Sequence, residues 1–146
     1  MMATILCATR GGEASIHTQE HAIQLAQDQD ANLVFLYVAD VQFLTQATAA
    51  IVVDVATEIE HMGEFLLLMA KERAEKAGVK AETLVKRGVF RYALAEAAQE
   101  VGAALIVLGS PQEDNLTMHS LLDEIAEAIK EQTGVDVLIV GRNNAV

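Results

Sequence analysis

The sequence predicts an α/β fold: an open parallel sheet of five strands with helices on both faces. Five apolar runs alternate with helix-like segments along the 146 residues, the pattern of successive right-handed βαβ crossovers. Three of the runs (Leu33-Val34-Phe35-Leu36-Tyr37-Val38, residues 104–108, and Val137-Leu138-Ile139-Val140) are continuously apolar, as strands buried on both faces are. Apolar residues make up 52% of the chain, enough for one core, so residues 1–146 read as a single domain.

The first strand is Thr4-Ile5-Leu6-Cys7-Ala8. A helix is expected over residues 15–29, with Ala22, Ile23, Leu25 and Ala26 turned inward and a capping region at Ser15, Thr18 and Gln19. The second strand is Leu33-Val34-Phe35-Leu36-Tyr37-Val38. Residues 41–48 are apolar without clear period and read as a loop or short helix at the C-terminal edge of the sheet, where ligands bind in open α/β folds. From Val52 a long helix carries a seam of Val55, Ile59, Met62, Leu66, Met69 and Arg73, spaced alternately three and four apart. Phe65, Leu67 and Leu68 add apolar surface beside it. One stripe should cover the sheet; the excess could be core, a partner surface or a lid.

The third strand, Ala81-Glu82-Thr83-Leu84-Val85-Lys86, alternates and suits a sheet edge. The next helix is expected over residues 92–101, with Ala93, Leu94, Ala97, Ala98 and Val101 inward and Gly102 closing it. The fourth strand runs into Gly109-Ser110. The last helix is expected over residues 121–132, opening near Asp123-Glu124, with Leu122, Ile125, Ala126 and Ile129 inward and Gly134 at its end. Residues 137–140 form the final strand.

The formal net charge is −11. Such a chain repels polyphosphate backbones, so nucleic acid is not an expected partner. No uncharged run is long enough for a membrane span, and no basic leader precedes the first strand. Cys7 is the sole cysteine, so no intrachain disulfide forms. A soluble protein of the reducing cytoplasm is expected.

The segments Thr4 through Ser15, Glu20-His21-Ala22-Ile23-Gln24-Leu25-Ala26, Leu33 through Asp40, Ala95 through Ser110, and Val135-Asp136-Val137-Leu138-Ile139-Val140 resemble, in order and spacing, the universal stress protein family. The resemblance covers essentially the whole chain. It implies strand order 3-2-1-4-5, an adenine nucleotide alpha hydrolase-like (Rossmann-like) topology, and usually a homodimer in which the final strand pairs across the dimer axis. One group of the family binds ATP through a glycine, two residues, a second glycine, nine residues, then glycine-serine or glycine-threonine. This chain is similar to the members lacking that motif. Gly109 supplies the first position, Gln112 replaces the second glycine, and the closing pair falls at Leu122-Asp123 or Asp123-Glu124. Arg10 stands where the family's first turn usually carries an aspartate.

Phosphate cradles need glycines because backbone N–H groups must approach the oxygens without a Cβ in the way. Asp123 and Glu124 at a helix start would occupy its positive end themselves and, with Glu113 and Asp114, repel a polyphosphate. Exchanging Asp123-Glu124 for Gly-Ser and Gln112 for Gly is then expected to create ATP affinity. Arg10 is expected to pair with Asp40 or Asp123, or else to hold a small anion.

Other constellations carry less. His17 and His21 share a helix face, but a zinc site needs further ligands. His61 lies among Glu58, Glu60 and Glu64, and His119 could line a cleft. Cys7 is expected in the core as a small apolar residue. Ser110 lacks a nucleophile-elbow context, and no base–nucleophile–orienter set is evident, so no enzyme is expected beyond a slow ATPase. The reading is a regulatory or protective homodimer joined through Val137, Leu138, Ile139 and Val140, with no cofactor. The alternative is an adenine-nucleotide sensor for ATP or AMP, with the base near Ala8, Thr9 and Val38, Gly109 and Ser110 toward the ribose or phosphate, and Arg10 beside them.

Overall fold

The computed structural model describes residues 2–10, 13–40, 49–109 and 116–141. Five strands, β1 (Thr4–Ala8), β2 (Asn32–Ala39), β3 (Ala81–Arg87), β4 (Leu105–Gly109) and β5 (Asp136–Val140), alternate with four helices, α1 (Glu13–Gln29), α2 (Ala49–Lys76), α3 (Phe90–Val101) and α4 (Leu116–Thr133). All strand pairs are parallel and the order is β3-β2-β1-β4-β5. This is the open sheet that the apolar runs predicted, in the order that the resemblance implied.

Register explains why the central strands are apolar throughout. Cys7 lies between Phe35 and Val107, and Leu6 between Val34 and Ile106. Successive side chains point to opposite faces, so each strand feeds two cores. Ile5, Cys7, Leu33, Phe35 and Val107 pack with Ala22, Ile23, Ala26, Leu67 and Ala70 under α1 and α2. Leu6, Val34, Leu36, Ile106 and Leu108 pack with Leu94, Ala97, Ala98, Ile125 and Ile129 under α3 and α4. Cys7 is fully enclosed, and burial pushes its thiol up to about 12, so it packs as a small apolar side chain. Gly102 ends α3 in the left-handed conformation (φ 63°), its N–H donating to the carbonyls of Ala98 and Gln99, a position glycine adopts without a Cβ penalty. Among the described residues no helix is long and apolar enough to cross a membrane.

Three expectations are corrected. The seam proposed for α2 is not its inner face. Ala56, Gly63, Leu67, Ala70 and Ala74 are buried, whereas Met62 and Met69 are 61% and 43% exposed, and Phe65 and Leu68 are 64% and 61% exposed. The reason is proximity: a Cβ on Gly63 would lie 2.3 Å from Cδ1 of Tyr37, so α2 sits too close to β2 for a large inner stripe. Of the apolar excess, Leu67 faces the sheet, and Phe65 and Leu68 face outward. Secondly, α4 begins at Leu116, placing Asp123 and Glu124 inside the helix and exposed. Thirdly, Thr18 and Gln19 do not cap α1; both are buried within it.

At the β3 edge, the Lys86 ammonium donates to carboxylates of Glu100 and Glu96, each at 2.7 Å. The hydrogen bond to Glu100, then that to Glu96, hold its pKa above the ordinary lysine value. A pKa raised by folding gives stabilisation that is complete below the unfolded-chain value of about 10.4 and is lost as pH rises through the folded value. Lys86→Gln should therefore melt below the parent at pH 8, and the gap should close as pH rises through the folded value, as measured by thermal denaturation at increasing alkaline pH. A pH-independent gap would assign the effect to packing of the lysine stem instead.

Candidate functional site

The C-terminal ends of β1, β2 and β4 open into a cavity of about 310 Å³ on the α3–α4 side of the sheet. It is lined by Ala8, Thr9, Arg10, Val38, Asp40, Phe90, Leu108, Gly109, Leu121, Leu122 and Ile125. Five of the six residues singled out from the sequence (Ala8, Thr9, Arg10, Val38 and Gly109) thus meet in one place. The sixth, Ser110, lies outside the described residues, as do Gln112, Glu113, Asp114 and residues 41–48.

Each lining residue is placed by local physics. Thr9 extends the ladder past β1, its N–H donating to the Leu36 carbonyl at 2.8 Å. Its hydroxyl accepts from Nε2 of Gln19 at 2.6 Å, and Oε1 of Gln19 accepts from Nη1 of Arg73 at 2.5 Å. This chain satisfies the polar side chains of Thr9 and Gln19, 4% exposed each, which would otherwise be costly to bury. Gly109 ends β4 where α1 presses against it: an added Cβ would lie 2.5 Å from Oγ1 of Thr18. The close approach of α1, rather than a ligand, accounts for this glycine.

Asp40 has a role the sequence did not reveal. Helix α3 lacks a side-chain cap at Val89, and the Asp40 carboxylate accepts from the Phe90 N–H at 3.2 Å. A carboxylate at this end also complements the helix dipole. Among the described residues no ion pair joins Arg10 to Asp40 or Asp123; Arg10 is exposed at the cavity rim, its N–H donating to Oγ of Ser15. Phe90, Leu108 and Leu121 were also missed, although Leu122 and Ile125 were already legible as inward positions of the last helix. His17, His21 and His61 are exposed, and no group of three or more His, Cys, Asp or Glu among the described residues could hold a metal.

The wall contributed by α4 decides what chemistry the cavity offers. Six residues, 110–115, separate β4 from α4, whereas the glycine motif needs twelve between its first glycine and its closing pair. The positions of that closing pair, Leu122-Asp123 or Asp123-Glu124, lie in the second and third turns of α4. Their N–H groups bond to carbonyls four residues back and offer nothing to an anion. Leu121, Leu122 and Ile125 face the cavity in place of bare amides. The charge argument built on a helix opening at Asp123-Glu124 therefore gives way to one of chain length and spent donors, and inserting Gly-Ser there would loosen the helix rather than build a cradle.

Known proteins share this architecture. A universal stress protein of Methanocaldococcus jannaschii is 31% identical over 137 residues, covering 93% of this chain and 80% of its own. A crystal structure of a universal stress protein family member from Burkholderia pseudomallei superposes with a TM-score of 0.72 at 29% identity, covering 96% of each chain. A universal stress protein crystallised in complex with cAMP superposes with a TM-score of 0.65 at 26% identity, covering 94% of this chain and 96% of its own. The family model for universal stress proteins matches residues 1–141, and with sheet order and spacing in agreement, the chain belongs to the universal stress protein family.

Proposed function

We propose that this protein is a cytoplasmic regulatory or protective homodimer that does not hold ATP tightly and catalyses no turnover of its own. The observation carrying this reading is the α4 wall: leucine side chains and already bonded helix amides stand where a triphosphate cradle would need free N–H groups. The dimer is assigned to β5, an edge strand whose Val137, Leu138 and Ile139 are only half-buried; an apolar edge with unpaired backbone groups favours strand pairing.

The cavity favours a second reading of the same site. Its apolar walls and few polar groups suit a flat ring with a short polar tail, and the relative at 26% identity was crystallised with cAMP. An adenine ring would lie against Ala8, Thr9 and Val38, with a single phosphate toward Gly109 and Ser110 and the Arg10 guanidinium near it. This makes the protein a sensor for a nucleotide with one phosphate.

Calorimetry with ATP, AMP and cAMP separates the two. No saturable heat with ATP at micromolar concentrations is expected, and micromolar ATP affinity would overturn the main reading. Binding of AMP or cAMP alone would support the sensor, while silence for all three would remove it. Sedimentation is expected to give about twice the chain mass, with a monomer arguing against the β5 pairing.

A further inference from the structure

The outward face of α2 combines an unpartnered apolar patch with an acidic frame. At 3.6 residues per turn, Met62, Phe65, Leu68 and Met69 fall within about 120° of the helix circumference. Their exposures of 61%, 64%, 61% and 43% leave roughly 450 Å² of apolar surface bare, taking about 200 Å² for each fully exposed side chain. Patches of this size on a soluble chain mark binding surfaces. Glu58 and Glu72 lie seven residues to either side of Phe65, on the same line of the helix, and both are exposed, as is Glu64 at the flank. At this face Lys76, 77% exposed, pairs with Glu72 at 3.6 Å, a weak and screened contact.

We propose that this face docks a basic amphipathic helical segment of another protein. Its apolar stripe would lie over Met62, Phe65, Leu68 and Met69, and its lysines or arginines would meet Glu58, Glu64 and Glu72. Two arguments select this occupant over a second copy of the chain. The patch doubled is about 900 Å², below the roughly 1,200 Å² at which stable protein interfaces begin, but ample for one transient helix. Two copies would also bring matching acidic frames together on chains of net charge −11, a repulsive arrangement. Two methionines with an aromatic and a leucine make a surface that adapts to varied apolar stripes. Met62, Phe65, Leu68 and Met69 do not line the cavity, which opens on the opposite side of the sheet, so the proposal goes beyond the nucleotide reading and stands whichever nucleotide result is found.

The test titrates the full chain, free of nucleotide, with a synthetic 18-residue Leu/Lys helix carrying its leucines on one face, monitored by calorimetry. The controls are a scrambled peptide of the same composition and a Leu/Glu counterpart. Saturable one-to-one binding of the amphipathic Leu/Lys peptide alone is expected. Phe65→Ser/Leu68→Ser should weaken it about tenfold or more, and Met62→Ser/Met69→Ser by less. Glu58→Gln/Glu72→Gln should weaken it at low salt, with the difference shrinking as salt is raised. All these side chains are exposed, and circular dichroism should show each variant folded. Equal binding of the scrambled peptide, no effect of Phe65→Ser/Leu68→Ser, or no binding at all would overturn the proposal. So would sedimentation showing that Phe65→Ser/Leu68→Ser dissociates an assembly of the parent chain, because a second copy would then be the occupant.

Discussion

Replacing Phe35 with alanine is expected to lower the unfolding free energy by about 3–5 kcal/mol. Phe35 is fully buried at the middle of β2, between Cys7 of β1 and Thr83 of β3. Its ring belongs to the core under α1 and α2, where the helices contribute mainly small side chains: Ala22, Ala26, Ala70 and Ala74. Small neighbours have little side chain with which to refill the space, so the removed transfer energy and the cavity term add. Against a total of about 5–15 kcal/mol for a domain of this kind, the substitution should leave a marginal fold. Urea denaturation measures it as a shift in midpoint at unchanged slope. A loss under about 1 kcal/mol would mean that α1 and α2 close down onto the vacated site.

Gly63→Ala should also destabilise, by about 1–3 kcal/mol, against every intrinsic preference of the helix. In the interior of an ordinary helix, glycine to alanine gains up to about 1 kcal/mol. Here the new Cβ would lie 2.3 Å from Cδ1, 2.7 Å from Cγ and 2.7 Å from Cε1 of Tyr37. Cγ is the root of the ring and moves little by rotation, so relief requires α2 to lift from β2 and strip contacts from Leu67 and Ala70. Tyr37→Ala should restore much of the loss in the double variant, giving a coupling that independent sites do not show. A stabilised Gly63→Ala protein, read from its melting temperature, would place the helix farther from the sheet than described.

The sheet was legible because strands buried on both faces leave an unbroken apolar record. Residues 33–38, 104–108 and 137–140 could hardly be placed otherwise, and the alternation of Ala81 through Lys86 correctly marked an edge. The order of the strands came from the family resemblance, since apolar runs alone do not rank them. The register of α2 was not legible from hydropathy. Two stripes competed, and the larger side chains lost because the helix lies close to Tyr37. The signal that could have found the inner face was small residues at seven-residue spacing, Ala56, Gly63 and Ala70, with Leu67 and Ala74 beside them. Of the cavity, the strand ends were readable because β1 and β4 had to meet there. The contributions of Asp40 and Phe90 were not, because they depend on an aspartate just past β2 bonding to a helix that begins fifty residues later. The start of α4 was missed because nothing in Leu116-Thr117-Met118-His119 announces a helix as firmly as the apolar spacing from Leu122 onward.

The polar chain through Thr9, Gln19 and Arg73 joins the exit of the first strand to the far end of the long second helix. The hydroxyl of Thr9 gives its hydrogen to the Arg10 carbonyl at 3.3 Å while accepting from Gln19, so its hydrogen and one of its two lone pairs are already committed. Truncating Thr9 would leave the Gln19 amide without its acceptor and, through Gln19, weaken the hold on the Arg73 guanidinium. The exit of the first strand and the seating of a helix on the reverse side are in this way tied together by three side chains.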